Sequence, residues 1–231
     1  MDFNNNVRFV VTFKNSDFTL WITESVINMW IIMAVLIAFA VIARIQLKKF
    51  TDIPKGFQNI IEMIIEFFDN FVVGTAGEKL RSLGNWYFMV FTFVLLSNLS
   101  GMFTLRPPTA DWTVTVALAA STFFLIQFMG IKYRGVSYLK SFIEPFFVFA
   151  PLNIIGEIAR PIALSFRLFG NILSGLILMG VIYALVPWFV RIGIPAPLHA
   201  YFDLFIGCIQ AYIFTILSLA FIGGAAEDAS A

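Results

Sequence analysis

The sequence predicts an all-α membrane protein: about five membrane helices plus one amphipathic surface helix, with a long tilted or bent helix over about 146–186 packed against the C-terminal helix. Three observations carry this reading. Of the 231 residues, 60% are apolar and only 13% charged, and the mean hydropathy is +0.89, a surface that water would not tolerate on a soluble domain of this size. Four apolar runs, about 26–43, 86–105, 112–131 and 204–223, each approach the roughly 20 residues a helix needs to cross lipid. A fifth, about 146–186, would extend to roughly 60 Å as one helix, twice the hydrocarbon thickness, so it must tilt, curve or break, with Pro151 and Pro161 the expected bends.

Each element has its own justification. The N-terminal segment, 1–25, lacks the basic region, apolar core and cleavage site of a signal peptide, so the run at 26–43 serves for insertion. At 53–73, Ile53, Phe57, Ile60, Ile61, Ile64, Phe68 and Phe71 fall on one helical stripe and Glu62, Glu66 and Asp69 on the opposite one. That helix should lie along a surface. Its polar face is acidic where lipid-bound helices carry Lys and Arg, which favours a protein partner or its own chain as its support.

The spans at 86–131 form a helical hairpin, and 146–223 holds a second helix pair, all in one domain covering 1–231. Arg44, Lys48, Lys49 and Lys55 in one connection, and Lys132, Arg134 and Lys140 in another, belong on the cytoplasmic side. The turns at 106–111 and 187–199 contain only Arg106 and Arg191. The N-terminus is therefore expected outside and the C-terminus inside.

Composition also excludes. Fifteen basic against fourteen acidic residues, a net charge of +1, leave no basic face for nucleic acid. The lone Cys208 sits in an apolar run and builds neither a disulfide framework nor a thiolate metal site. His199, after the Pro-Ala-Pro turn, reads as a surface histidine rather than a metal ligand. No cofactor is expected.

The chemistry concentrates in the long helix. Asn153, Glu157, Arg160, Leu164, Arg167, Asn171 and Ser174 are spaced alternately by four and three, so all fall on one side, with only Leu164 interrupting the polar face. A charged group at the bilayer centre costs about 2.5–3.5 kcal/mol or more, so these arginines must face protein, water or a countercharge. Glu157 and Arg160 can pair with each other, either as a stitch between helices or as part of a site. Arg167 has no acid within 161–180. Its partner is then a carboxylate on another chain or an aqueous cavity. In the last span Asp203 and Gln210 are seven apart with Gly207 between them, a second polar stripe placed to meet the first.

ARPIALSFRLFGN, followed by IQAYIFTILSLAFI and preceded by SNLSGMFTLRPPTADWTVTVALA, resembles the a subunit of rotary F-type ATP synthases. The resemblance implies a membrane stator with two aqueous half-channels, which passes protons or sodium ions to and from the carboxylates of a c-ring and so couples ion flow to rotation and ATP synthesis. Such a subunit does no catalysis itself. Arg167 takes the place of the essential stator arginine. Gln210, Asn171, Arg160 and Glu157 match the positions around it, and Asn153 and Ser174 extend its stripe. Leu176 and Asp203 depart from the family pattern, which leaves Asp203 as the outer half-channel's carboxylate. The implied partners are the c-ring, the b subunits of the peripheral stalk, the F1 sector indirectly and the lipid bilayer of a bacterial plasma membrane.

Rival readings fit less well. A secondary transporter would show repeated halves with matching broken helices. A membrane-embedded enzyme would need a nucleophile with a base, or a metal cluster. A structural bundle leaves Arg167 unexplained.

Overall fold

The computed structural model describes residues 7–12, 19–47, 56–103, 105–144, 146–185, 187, 193 and 195–227. Five helical spans, Glu24–Gln46, Glu78–Phe103, Trp112–Arg134, Phe147–Leu185 and Pro197–Ala226, are long and apolar enough to cross a bilayer. Each coincides with a run expected from hydropathy. The basic residues Lys48, Lys49, Lys55 and Arg191, and Ile53 of the amphipathic stripe, lie outside the described residues.

The chain begins with a hairpin that periodicity did not suggest, β1 (Val7–Thr12) paired antiparallel with β2 (Thr19–Thr23). It leads directly into α1 (Glu24–Leu47). Along α1 the buried positions Ser25, Asn28, Ile32 and Leu36 recur every three or four residues, whereas Trp30, Ile31, Val35 and Ile37 are exposed. A single narrow seam holds it against α3 (Gly84–Leu99), and the rest of its circumference suits lipid. The Asn28 amide fixes its start by donating to the Arg106 carbonyl at 2.9 Å.

α2 (Phe57–Ala76) is the amphipathic helix, and its support is its own chain. Ile61, Phe68 and Val72 are buried against α3 and α8 (Gly207–Ala226). Asp69 pairs with Arg81 at 3.7 Å, and Gln58 donates to Glu62 at 2.7 Å, so part of the acidic face is satisfied internally. Ile60, assigned to the buried stripe, is exposed together with Met63 and Phe67. They form a second apolar face that this chain leaves open.

α4 (Trp112–Arg134) starts at Asp111, whose carboxylate accepts from the Thr113 amide at 3.1 Å, and it packs on both α6 (Ala150–Leu185) and α8. Between α4 and α6 the short α5 (Val136–Ser141) lays Tyr138 on Gly130, where a Cβ would come within 2.7 Å of the ring. Burial raises the Tyr138 phenol above its ordinary pKa, so it remains a neutral donor to Gln127.

α6 runs unbroken for 36 residues, about 54 Å. Neither of the prolines at which a bend is expected interrupts it. Pro151 stands in the first turn, where an amide would have no helical acceptor, and Pro161 deprives only the Glu157 carbonyl of its donor. Two cores result. One gathers Val72, Leu80, Tyr87, Ile126, Leu219 and Ile222; the other joins Val94, Leu164, Leu168, Ala211 and Phe214 at the crossing of α3, α6 and α8.

Candidate functional site

Three polar clusters lie along the seam between α6 and α8. At one end Arg160 donates to the Glu157 carboxylate, three residues before it, and its guanidinium lies 5.3 Å from the Phe221 ring centroid. The other Glu157 oxygen, Oε2, is buried and has no hydrogen-bond partner among the described residues. A cavity of about 430 Å³ opens here, lined by Arg134, Tyr138, Asn153, Glu157 and Arg160 together with Phe221. Asn153 also has a structural task, donating to the carbonyls of Phe142 at 3.1 Å and Glu144 at 3.0 Å and so tying down the turn before α6.

In the middle, the Asn171 amide donates to Gln210 Oε1 at 2.6 Å, so the two predicted stripes do meet. Gln210 is 1% exposed and its Nε2 has no partner among the described residues, a buried donor still unspent. Ser174 turns back to the Asn171 carbonyl at 3.0 Å. Arg167 lies one turn from Asn171 and is exposed on the surface of the chain, where a partner on another chain could reach it. Among the described residues no ion pair or hydrogen bond reaches its guanidinium.

Glu157 and Arg160 are half-buried against the seam, while Arg167, Asn171 and Ser174 are exposed on the outer face of α6. Small residues surround Arg167 on that outer face. Gly156, Ala159, Ala163 and Gly170 are all exposed, and a Cβ on Gly156 or Gly170 would meet nothing within 4 Å. Their spacing of three and four was readable in the sequence as a face for close helix approach, but the charged residues masked it.

At the far end, Asp203 and His199 form a pair that corrects the surface reading of the histidine. His199 closes α7 (Pro195–His199), and its Nδ1 lies 2.6 Å from Asp203 Oδ2 on the following turn. Its Nε2 lies 3.2 Å from the hydroxyl of Tyr183, near the end of α6. The side chains of His199 and Asp203 are only 21% and 16% exposed. The i, i+4 spacing of His199 and Asp203 was the available signal. Asp203 sits in a π-helical turn, Ala200–Ile206, that joins α7 to α8. It presses on Gly101, where a Cβ would lie 3.1 Å from the carboxylate. Leu176, the other departure from the family pattern, is half-buried.

A fourth group was missed from the sequence. Asn98, 1% exposed, donates to the Gly207 carbonyl at 3.0 Å and accepts from the Thr109 hydroxyl at 2.8 Å. Gly207 is where α8 approaches α3, for a Cβ there would lie 3.1 Å from Asn98 Cβ. The gap expected between Asp203 and Gln210, where another helix can approach closely, therefore receives α3.

The whole seam lies within the range shared with known proteins. The ATP synthase A chain family profile matches residues 26–223. ATP synthase subunit a of Moorella thermoacetica is 34% identical over 203 residues, 87% of this chain and 89% of that protein. Subunit a 2 of a Bradyrhizobium strain is 36% identical over 206 residues, covering 88% and 89%. The sodium-ion-specific subunit a of Propionigenium modestum is 32% identical over 225 residues, covering 90% and 75%. With matches of this extent across all five spans and the three polar clusters, the chain belongs to the ATP synthase A chain family.

Proposed function

We propose that this chain is the membrane stator of a rotary ATP synthase, with Arg167 the fixed charge that separates two ion paths and meets, in turn, the carboxylate of each subunit of a passing c-ring. The observation that carries it is the exposure of Arg167. A cation without a partner on the outside of a membrane-spanning helix is costly in lipid, so an acid must come to it from another chain. The small residues around it let a second helix approach, and Gln210 Nε2 is a spare donor close to Asn171. A guanidinium stays charged at any working pH, favours the ionised carboxylate and repels cations that would cross directly.

The Glu157 cavity then serves as the cytoplasmic path, and the end at Asp203 as the outer one. The chain performs no catalysis; ATP forms elsewhere in the complex. Relatives include a sodium-specific subunit, so family membership is compatible with either ion. The test is ion flux and ATP synthesis in vesicles containing Arg167→Ala, with co-purification of the c-ring as the assembly control. Loss of synthesis with an open leak is expected; substantial ion-driven synthesis by the assembled variant would remove the proposal. The implied topology is checked separately by cysteines at Lys49 and Ser137, which should react only with reagent supplied from the cytoplasmic side.

A further inference from the structure

We infer that the connection at 132–149 is an interfacial anchor that seats in an anionic phospholipid surface, with Val136, Leu139, Ile143, Phe146, Phe147 and Val148 below the phosphates and Lys132 and Lys140 level with them. The inference goes beyond the stator reading and does not rest on it. It needs only that the helices on either side span a bilayer.

The depth of the segment follows from its fold. Gly135, at φ +57°, turns the chain at the end of α4, and α5 folds back on the helix it has just left. Tyr138 lies against Gly130 and donates to Gln127 Oε1 at 3.1 Å, so α5 stands beside the last two turns of α4, roughly 6 Å short of its end. Phe142 packs edge to face on Tyr138 at 5.1 Å, and Asn153 holds the carbonyls of Phe142 and Glu144. The connection is therefore fastened at the level where the α4 span ends and does not project into water.

What it shows at that level is apolar. With Tyr138 and Phe142 turned inward, Val136, Leu139 and Ile143, spaced by three and four, are left exposed on one outer stripe. Val148 and Phe147, 83% and 78% exposed, are the most exposed large apolar side chains among the described residues, and Phe146 stands next to them in the chain. Unlike the bare faces of the spans, this one has charge along it. Lys140 flanks the stripe, one residue after Leu139 and four after Val136, and Lys132 sits on the last turn of α4; both are exposed, and no ion pair reaches either among the described residues. Arg134 turns inward, its guanidinium 6.0 Å from the Tyr138 ring centroid. The sole acid within 132–149 is Glu144.

That combination fits anionic headgroups. The apolar side chains enter the boundary between headgroups and acyl chains, and the lysine stems reach back along them to the phosphates. The open face of α2 has the opposite character, with Glu62 and Glu66 exposed beside Ile60, Met63 and Phe67, and such a surface repels it. Tyr138, Ser141 and Phe142 also wall the cavity beside Glu157, so lipid that seats the outer side of this connection supports the cavity wall on its inner side.

The test uses the assembled, otherwise cysteine-free complex with an environment-sensitive fluorophore on Leu139→Cys, in phosphatidylcholine nanodiscs containing a nitroxide near the top of the acyl chain of either phosphatidylglycerol or phosphatidylcholine. Both lipids should quench the probe, aqueous iodide should not, and the phosphatidylglycerol quencher should reach half-quenching at a content at least about fivefold lower. In Lys132→Gln/Lys140→Gln that preference should shrink to near parity while quenching by both lipids persists. Lys132→Arg/Lys140→Arg should keep it, and high salt should weaken it. Iodide quenching with none from either lipid would place the segment in water. Protection from all three quenchers, with a cross-link from the cysteine to a neighbouring subunit, would place a protein on this face. Equal quenching by the two lipids in the complex with both lysines, or a preference that survives their replacement by glutamine, would remove the headgroup recognition. Each of these outcomes overturns the inference. No arm reads ion flow, so the result with Arg167→Ala decides the stator reading separately.

Discussion

The two ends of the α6–α8 seam each hold one half-buried acid beside one basic side chain on the same stretch of helix, yet they are built for different tasks. Glu157 is paired with an arginine, whose charge is permanent, and the pair borders a 430 Å³ cavity. Asp203 is paired with an imidazole, whose charge can change within the physiological range, and a third side chain closes the set. A guanidinium keeps its charge at any working pH, whereas an imidazole can gain and lose a proton. Spacing alone, i, i+3 against i, i+4, says nothing of this. The difference lies in the chemistry of the partner and in whether water or protein fills the space beside it.

The largest effect should come from the residue between the two ends. If Arg167 keeps two ion paths apart as proposed, ion-driven ATP synthesis in Arg167→Ala should fall by about two orders of magnitude or more, to background in vesicles. Arg167→Lys should also be severely impaired, because a compact ammonium replaces the planar fork and can lose its proton in an apolar setting. Next comes the titratable end. Asp203→Leu should slow ion flow by about tenfold or more with the complex intact, and Asp203→Glu should be milder. Normal synthesis in Asp203→Leu would take it out of the path.

The fixed-charge end should respond less. Glu157→Gln leaves the cavity in place and keeps an amide oxygen that can still accept from Arg160, so it should reduce flow only about two- to threefold. Failure of that variant to assemble, measured by loss of the c-ring on purification, would make the Glu157–Arg160 pair a stitch rather than part of a path. The smallest effect on flow should come from Asn98→Ala, which touches neither end. It strands the Gly207 carbonyl and the Thr109 hydroxyl and should lower stability by about 1–3 kcal/mol, read as an earlier thermal transition of the detergent-solubilised complex.

Much of this could be read from the sequence because a membrane simplifies the grammar. Length and apolarity alone place the five spans, and a step of three and four puts Asn171 and Gln210 on facing stripes that do meet. What stayed hidden depends on contacts far apart in the chain. Asn98 and Gly207 are 109 residues apart, and nothing local in SNLSG says which carbonyl the amide will reach. His199 was misjudged from its proline-rich turn, although Asp203 stood four residues on; the π-helical turn that seats the carboxylate leaves no periodic trace. That Arg167 faces outward while Leu164, three residues before it on the same stripe, is buried depends on where α3 and α8 pack against α6, which the stripe alone does not give.

The small residues around Arg167 have a mechanical consequence. Helices with large side chains mesh ridge into groove and settle at preferred angles, so each such fit is a detent that a turning neighbour must climb out of. Gly156, Ala159, Ala163 and Gly170 present a nearly smooth track with a single charged stud. If a rotor runs along this track as proposed, friction is low except where the stud meets an opposite charge, and the step size is then set by the spacing of charges on the rotor rather than by the corrugation of the stator.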